Sequence, residues 1–334
     1  MSENNLFKAI RWTLSLTLFL AGILDGAMAN DSEAGKAAGG IRLLKDARIS
    51  IQKEKLTISQ KKVTVEYEFL NETDKDISAI VAFPIQHRCY EGECGAPVFA
   101  DFRVWVGGTE VKYSKEAKAL LHGKDYSSVL RGLAIDIASY GRFEFQKDDQ
   151  PKYEVEKLPE KDKQELVRLG LVDPKGFTPE WGVEEMYYWT ETFPASKTIH
   201  VRHEYSPAYG YSPIEMDSLD KKFPDACIDA GLRKKLSTDV QSYLALNKEA
   251  GYTDYIFSVW VNYILTTANN WKTPIKDFEL IVEKPERDEQ HGAWYVSLCW
   301  DGPVERLDEN HFVARKRDFI PKGELAVYFF AKAL

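Results

Sequence analysis

The chain is poor in cysteine: only four occur in 334 residues, and none stands in a C-x-x-C pair. That spacing excludes thioredoxin-like dithiol chemistry. Positive charge is not in excess, since 44 Lys and Arg face 52 Asp and Glu, for a net charge of −8. A basic face for nucleic acid is therefore excluded. No G-x-S-x-G elbow, phosphate-binding P-loop or H-E-x-x-H zinc motif occurs, so three common catalytic frameworks have no anchor. Long apolar runs are also scarce. The run from about Trp12 to Leu24 is shorter than the roughly 20 residues a membrane helix needs, and no later segment is longer.

What that run does have is the layout of an export signal. Lys8 and Arg11 precede it, and Ala27-Met28-Ala29 supplies a small-x-small cleavage site. Residues 1–29 are expected to be removed, leaving no stable membrane span and a periplasmic or secreted chain. Residues 30–40, small and polar, read as a flexible leader.

Strand patterning begins at Ile41. In "KVTVEYEF" the residues Val63, Val65, Tyr67 and Phe69 share one face, the period of two of a half-buried strand. "ISAIVAFP" alternates again, with Pro84 as its expected end. "DFRVWVGGTEV" reads as a hairpin with Gly107-Gly108 at its tip. From about Ser114 good helix formers dominate, "PEKDKQELVRLGLVDP" reads as a short helix, and "FTPEWGVEEMYYWTETFP" looks irregular, so 114–192 is expected to be a mainly helical insertion. "KTIHVRHEY" restores strand character and resembles "KVTVEYEF" closely enough to pair with it. A helix from roughly Asp225 to Leu246 and five strand-like runs follow.

The fold class is therefore β-rich α+β. Two antiparallel sandwich-like halves are expected, at 41–206 and 207–334, the first interrupted by the insertion and the second led by a helix.

Three stretches carry a family resemblance: "AMANDS", "YILTTANNWKTPIKDFELIVEKP" (263–285) and "VSLCWDG" (296–302). Together they resemble a family of exported bacterial proteins classified only as a domain of unknown function. The resemblance implies a β-rich periplasmic or extracellular protein. It brings no activity, cofactor or catalytic residue.

"QHRCYEGECG" (86–95) sets Cys89 and Cys94 beside His87. Export favours disulfides, so the expected pairs are Cys89–Cys94 and Cys227–Cys299, worth about 2 and about 4 kcal/mol in the chain-entropy picture. The metal alternative lacks a second closely spaced pair. His200 and His203, three apart on a strand, point to opposite faces, with His203 on the apolar one. No metal and no cofactor are expected. Carboxylate pairs such as Glu184-Glu185 read as solvated faces, and no catalytic residue is assigned.

The candidate ligand-binding residues are aromatic: Trp181, Tyr187, Tyr188 and Trp189 in the insertion, and Tyr209 and Tyr211 in the loop-like "EYSPAYGYSP". Exposed, such rings stack on sugars or anchor a partner; buried, they fill a core, the commoner fate. The expected function is non-enzymatic binding or assembly in the cell envelope, with envelope proteins or glycans as partners and the oligomeric state open. The alternatives are a hydrolase of an envelope polymer and a purely structural module.

Overall fold

The computed structural model describes residues 32–37, 40–87, 99–137, 154–175, 178–246, 255–288 and 292–332. Its first nine strands are β1 (Ser32–Ala37), β2 (Gly40–Leu44), β3 (Ile49–Ser59), β4 (Val63–Asn71), β5 (Ile77–His87), β6 (Ala100–Val106), β7 (Thr109–Val111), β8 (Ser114–Leu121) and β9 (Lys124–Asp125). Helices α1 (Ser127–Gly132) and α2 (Glu160–Arg168) precede β10 (Gly182–Phe193), β11 (Thr198–Ser206) and β12 (Tyr209–Glu215). The rest is α3 (Leu219–Lys222), α4 (Ala230–Leu246), β13 (Tyr255–Tyr263), β14 (Ile275–Glu283), β15 (Tyr295–Ser297), β16 (Glu305–Arg306), β17 (His311–Phe319) and β18 (Leu325–Lys332).

These strands form three sheets. The six-stranded sheet has the order β2-β1-β5-β10-β8-β9, the eight-stranded one β16-β17-β14-β3-β4-β11-β6-β7, and the four-stranded one β12-β13-β18-β15. All pairs are antiparallel except β14 with β3. The main apolar cluster draws side chains from all three sheets, including Phe69, Phe83, Trp189, Val259, Phe278 and Phe329.

Strand β4 follows its sequence pattern, with Val63, Val65, Tyr67 and Phe69 buried, and it pairs with β11 as their likeness suggests. The β6–β7 hairpin turns on Gly107 and Gly108, whose φ of 55° and 83° suit a two-residue turn. Asn71 makes the "NETDKD" turn: its Oδ1 accepts from the Thr73 amide at 2.9 Å, and its Nδ2 donates to Phe193 O at 2.8 Å. Pro159 and Gly170 bracket α2 as expected. Helix α4 starts later than expected, because Cys227 is left-handed (φ 52°) and Asp229 Oδ1 caps the Leu232 amide at 2.7 Å.

Four sequence expectations are corrected. Ser32–Ala37, within the expected flexible leader, forms β1 and pairs with β5. Pro84 does not end β5, which runs to His87. Among the described residues, β1 pairs only with Ile80–Ala82, and Pro84 has a partner on one side only, Met186 of β10. Residues 114–192 are not mainly helical among those described. Their ends are β8 and β10, hydrogen-bonded to each other, so pairing overrides the helix preference of "SKEAKALL". Strand β10 escapes a period-two reading because Met186 is buried on the face opposite Tyr187. Finally, the halves do not divide at 206: β14 and β17 extend the sheet begun by β3 and β4.

The stretch 263–285 is a structural joint. Glu324 Oε2 accepts from the Leu265 amide at 2.7 Å, and Thr266 Oγ1 also bonds Glu324. Asn269 Nδ2 donates to Pro321 O at 2.9 Å. Asp46 N donates to Asn270 O, and Lys272 N to Ile49 O. Trp271 is buried among them. The segment thereby fixes the start of β3 against the ends of β13 and β14.

Candidate functional site

Strand alternation puts charged side chains on the outer face of the eight-stranded sheet. One transverse row runs Arg315, Glu279, Lys55, Glu66, Arg202, Trp105, Glu110, each residue opposite the next on the neighbouring strand. A second runs Arg317, Asp277, Lys53, Glu68, His200. The carboxylates and the Lys and Arg side chains alternate in sign along both rows, as cross-strand pairing favours; Trp105 interrupts the first and His200 ends the second.

The flanks of this lattice are neutralised in pairs. Arg315 Nε lies 2.8 Å from Glu279, Arg103 2.7 Å from Glu110 and Lys62 2.7 Å from Glu204. Arg202 is bonded to Glu204, and Arg103 holds the Glu110 carboxyl below its ordinary range. The centre differs: among the described residues, Lys53, Lys55 and Glu66 have no ion-pair partner. These three, with Trp105, His200 and Arg202, line a groove of about 480 Å³. The Arg202 and Arg103 guanidinium carbons sit 4.5 and 4.8 Å from the Trp105 ring centre, holding the indole by cation–π contact.

Directly beneath the groove lies a buried acid. Strand β3 carries a bulge between Ile51 and Lys53, which shifts its inward positions from odd to even numbers. Glu54 is thereby driven into the core with Leu56 and Ile58, and is 0% exposed. It faces Tyr67 across the β3–β4 pair. The Tyr263 hydroxyl donates to Glu54 Oε1 at 3.4 Å, and the Tyr67 and Tyr263 hydroxyls are 3.1 Å apart. Glu54 Oε2 has no hydrogen-bond partner among the described residues. Burial raises the Glu54 carboxyl from an ordinary 4.5 to about 8, although the Tyr263 bond acts in the opposite direction. It is therefore a neutral acid at neutral pH. His203, on β11, is also fully buried, ringed by Tyr67, Phe83 and Phe102. Burial, aided by Arg202, lowers its imidazolium to about 3, so it too is neutral.

The aromatic residues expected to bind a ligand do not assemble. Trp181 fills a satellite core with Leu130 and Leu166. Tyr187 and Trp189 are in the main core. Tyr188 is half-buried on the other face of β10, against Ala82 and Met186. Tyr209 packs half-buried on the main core. Tyr211 is 57% exposed on β12, an edge strand of a different sheet from β10. Trp105 is not among the residues expected to bind, although the alternation in "FRVWV" already sets it and Arg103 on the face opposite Phe102 and Val104. Glu185, taken for a solvated residue, is buried and lies 3.2 Å from Lys115.

Cys227 and Cys299 are bonded, with Cα atoms 5.1 Å apart. Around this bridge, Ser297 Oγ donates to Ala226 O at 2.6 Å and Tyr328 Oη to Asp225 at 2.7 Å. Tyr295 Oη donates to Asp239 at 2.7 Å. Together they fasten α4 and its approach to the four-stranded sheet. Cys89 and Cys94 lie outside the described residues. Among those described, no three His, Cys, Asp or Glu residues are grouped to hold a metal, and no helix is long and apolar enough to cross a membrane.

No curated protein matches the chain. Among solved structures, the chain is similar to a crystal structure described as a "putative nutrient binding protein" from Legionella pneumophila. The identity is 14% and the TM-score 0.39, over 90% of this chain and 72% of that one. The family described as "Domain of unknown function (DUF4424)" matches residues 29–328, nearly the whole length, and the chain belongs to that family.

Proposed function

We propose that this is an exported, non-enzymatic binding protein of the cell envelope, and that the groove over Lys53, Lys55, Glu66 and Trp105 is its binding site. The observation that carries this reading is the unpaired centre of an otherwise paired charge lattice. Among the described residues, two ammonium groups and a carboxylate stand without ion-pair partners, beside an aromatic ring. Lysines so placed receive carboxylates, Glu66 accepts from hydroxyl or amine groups, and Trp105 adds an apolar edge. The ligand class that offers all of these is a glycan or glycopeptide bearing carboxylates. The expected signal-peptide cleavage and the Cys227–Cys299 bridge support action outside the cytoplasm.

The test is calorimetric titration with soluble peptidoglycan fragments, which carry carboxylates, and with a neutral chitin oligosaccharide of similar length. Binding of the first that weakens as salt rises, with none of the second, supports the reading. Equal binding of both, or of neither, contradicts it.

A further inference from the structure

We infer that the proton on Glu54 controls the groove, because the strand that presents Lys53 and Lys55 to the ligand holds Glu54 in the core between them. This rests on the groove being the binding site. Successive residues of a strand point to opposite faces. The same alternation sets Tyr67 between Glu66 and Glu68 on the partner strand. Groove and buried acid are thus the two faces of one strand pair.

Among the described residues, no cation faces Glu54 on the core side. Strand β4 offers Tyr67, the end of β13 offers Tyr263, and β11 offers His203 and Tyr205. From β14, the inward residue opposite Glu54 is Phe278. The strand's own Lys53 and Lys55 and its cross-strand neighbours Glu66, Glu68, Asp277 and Glu279 are on the outer face. Tyr263 resists ionisation, being pushed well above its ordinary range first by burial and then by Tyr67 and Glu54.

The protonated acid is tolerated in this place. The carboxylate is not: it has one long hydrogen bond from Tyr263 and, among the described residues, an oxygen with no partner and no compensating charge. Deprotonation drives Glu54 toward water. The bulge between Ile51 and Lys53 is the point where β3 already changes which residues face the core. Any rotation that carries Glu54 outward turns Lys53 and Lys55 away from the groove. Low pH therefore keeps the groove assembled, and alkaline pH dismantles it.

The experiment is hydrogen exchange read by mass spectrometry on the full exported chain, at about pH 6.5 and about pH 9.5, corrected for intrinsic exchange chemistry. Wild type is compared with Glu54→Gln, which keeps the shape and cannot ionise. The expected result is a loss of protection in β3 and β4 about tenfold or more greater than that of the other strands, in wild type and not in Glu54→Gln. Equal loss in both proteins, or a loss in β3 and β4 no greater than in the other strands, overturns the inference. Peptidoglycan fragments titrated under the same conditions separate the two claims. If the fragments never bind while β3 and β4 respond as expected, the groove reading fails and the proton switch stands. If they bind wild type equally at both pH values, the switch fails and the groove stands.

Discussion

The indole of Trp260 lies so close to Gly210 that a Cβ there would fall 2.0 Å from the ring. The two residues are opposite each other on β12 and β13, and Trp260 continues into the aromatic contacts of Phe223 and Tyr328. Gly210→Ala is expected to destabilise the protein by about 1–3 kcal/mol through overpacking. Combining it with Trp260→Leu is expected to cost less than the sum of the single changes. Denaturant unfolding of the four proteins measures the coupling, and strict additivity contradicts the contact.

The two buried titratable groups set opposite limits on stability. The Glu54 carboxyl is raised from 4.5 to about 8, so the folded state holds a proton that the unfolded state releases. Its contribution is complete below about pH 4.5 and falls by about 1.4 kcal/mol per unit as pH rises toward 8. His203 is lowered from 6.5 to about 3. The unfolded state binds that proton first, so its contribution is complete above about pH 6.5 and falls toward 3. Between about 4.5 and 6.5 the two slopes cancel, giving a plateau with a decline on either side. Denaturant unfolding across pH checks this: Glu54→Gln is expected to flatten the alkaline limb and His203→Leu the acid one.

The bridge between Cys227 and Cys299 closes a long loop around α4. Replacing both with serine is expected to lower stability by about 2–4 kcal/mol and to expose α4 preferentially to exchange. Unfolding and hydrogen exchange of the double variant test this, and a stability within a few tenths of wild type would show that the side-chain bonds of Ser297, Tyr295 and Tyr328 suffice.

Parts of this fold were legible from residues alone. Strand β4 was, because a single face carries its apolar side chains. The β3 bulge leaves a visible trace: Ile49 and Ile51 are odd, Leu56 and Ile58 even, and Glu54 shares the second parity. The disulfide followed from compartment and count. Strand β10 was obscured because both its faces are apolar and Glu185 breaks the pattern. The β3–β14 partnership was not legible, since nothing local marks two distant segments that pair in parallel. The groove was hidden for a different reason. Lys53, Lys55, Glu66 and Arg202 each resemble an ordinary solvated residue, and only strand register brings them together. The aromatic residues cluster in sequence, yet most of them fill cores.

The measurement that bears most directly on the binding site is the affinity of wild type and of Lys53→Ala/Lys55→Ala for soluble peptidoglycan fragments, by calorimetry at low salt. Both lysines point outward and have no ion-pair partner among the described residues, so the double change is expected to leave stability within about 0.5 kcal/mol. Affinity is expected to fall about tenfold or more, the size of a lost charge-assisted contact. Unchanged affinity in a folded double variant would contradict the assignment of this groove as the site.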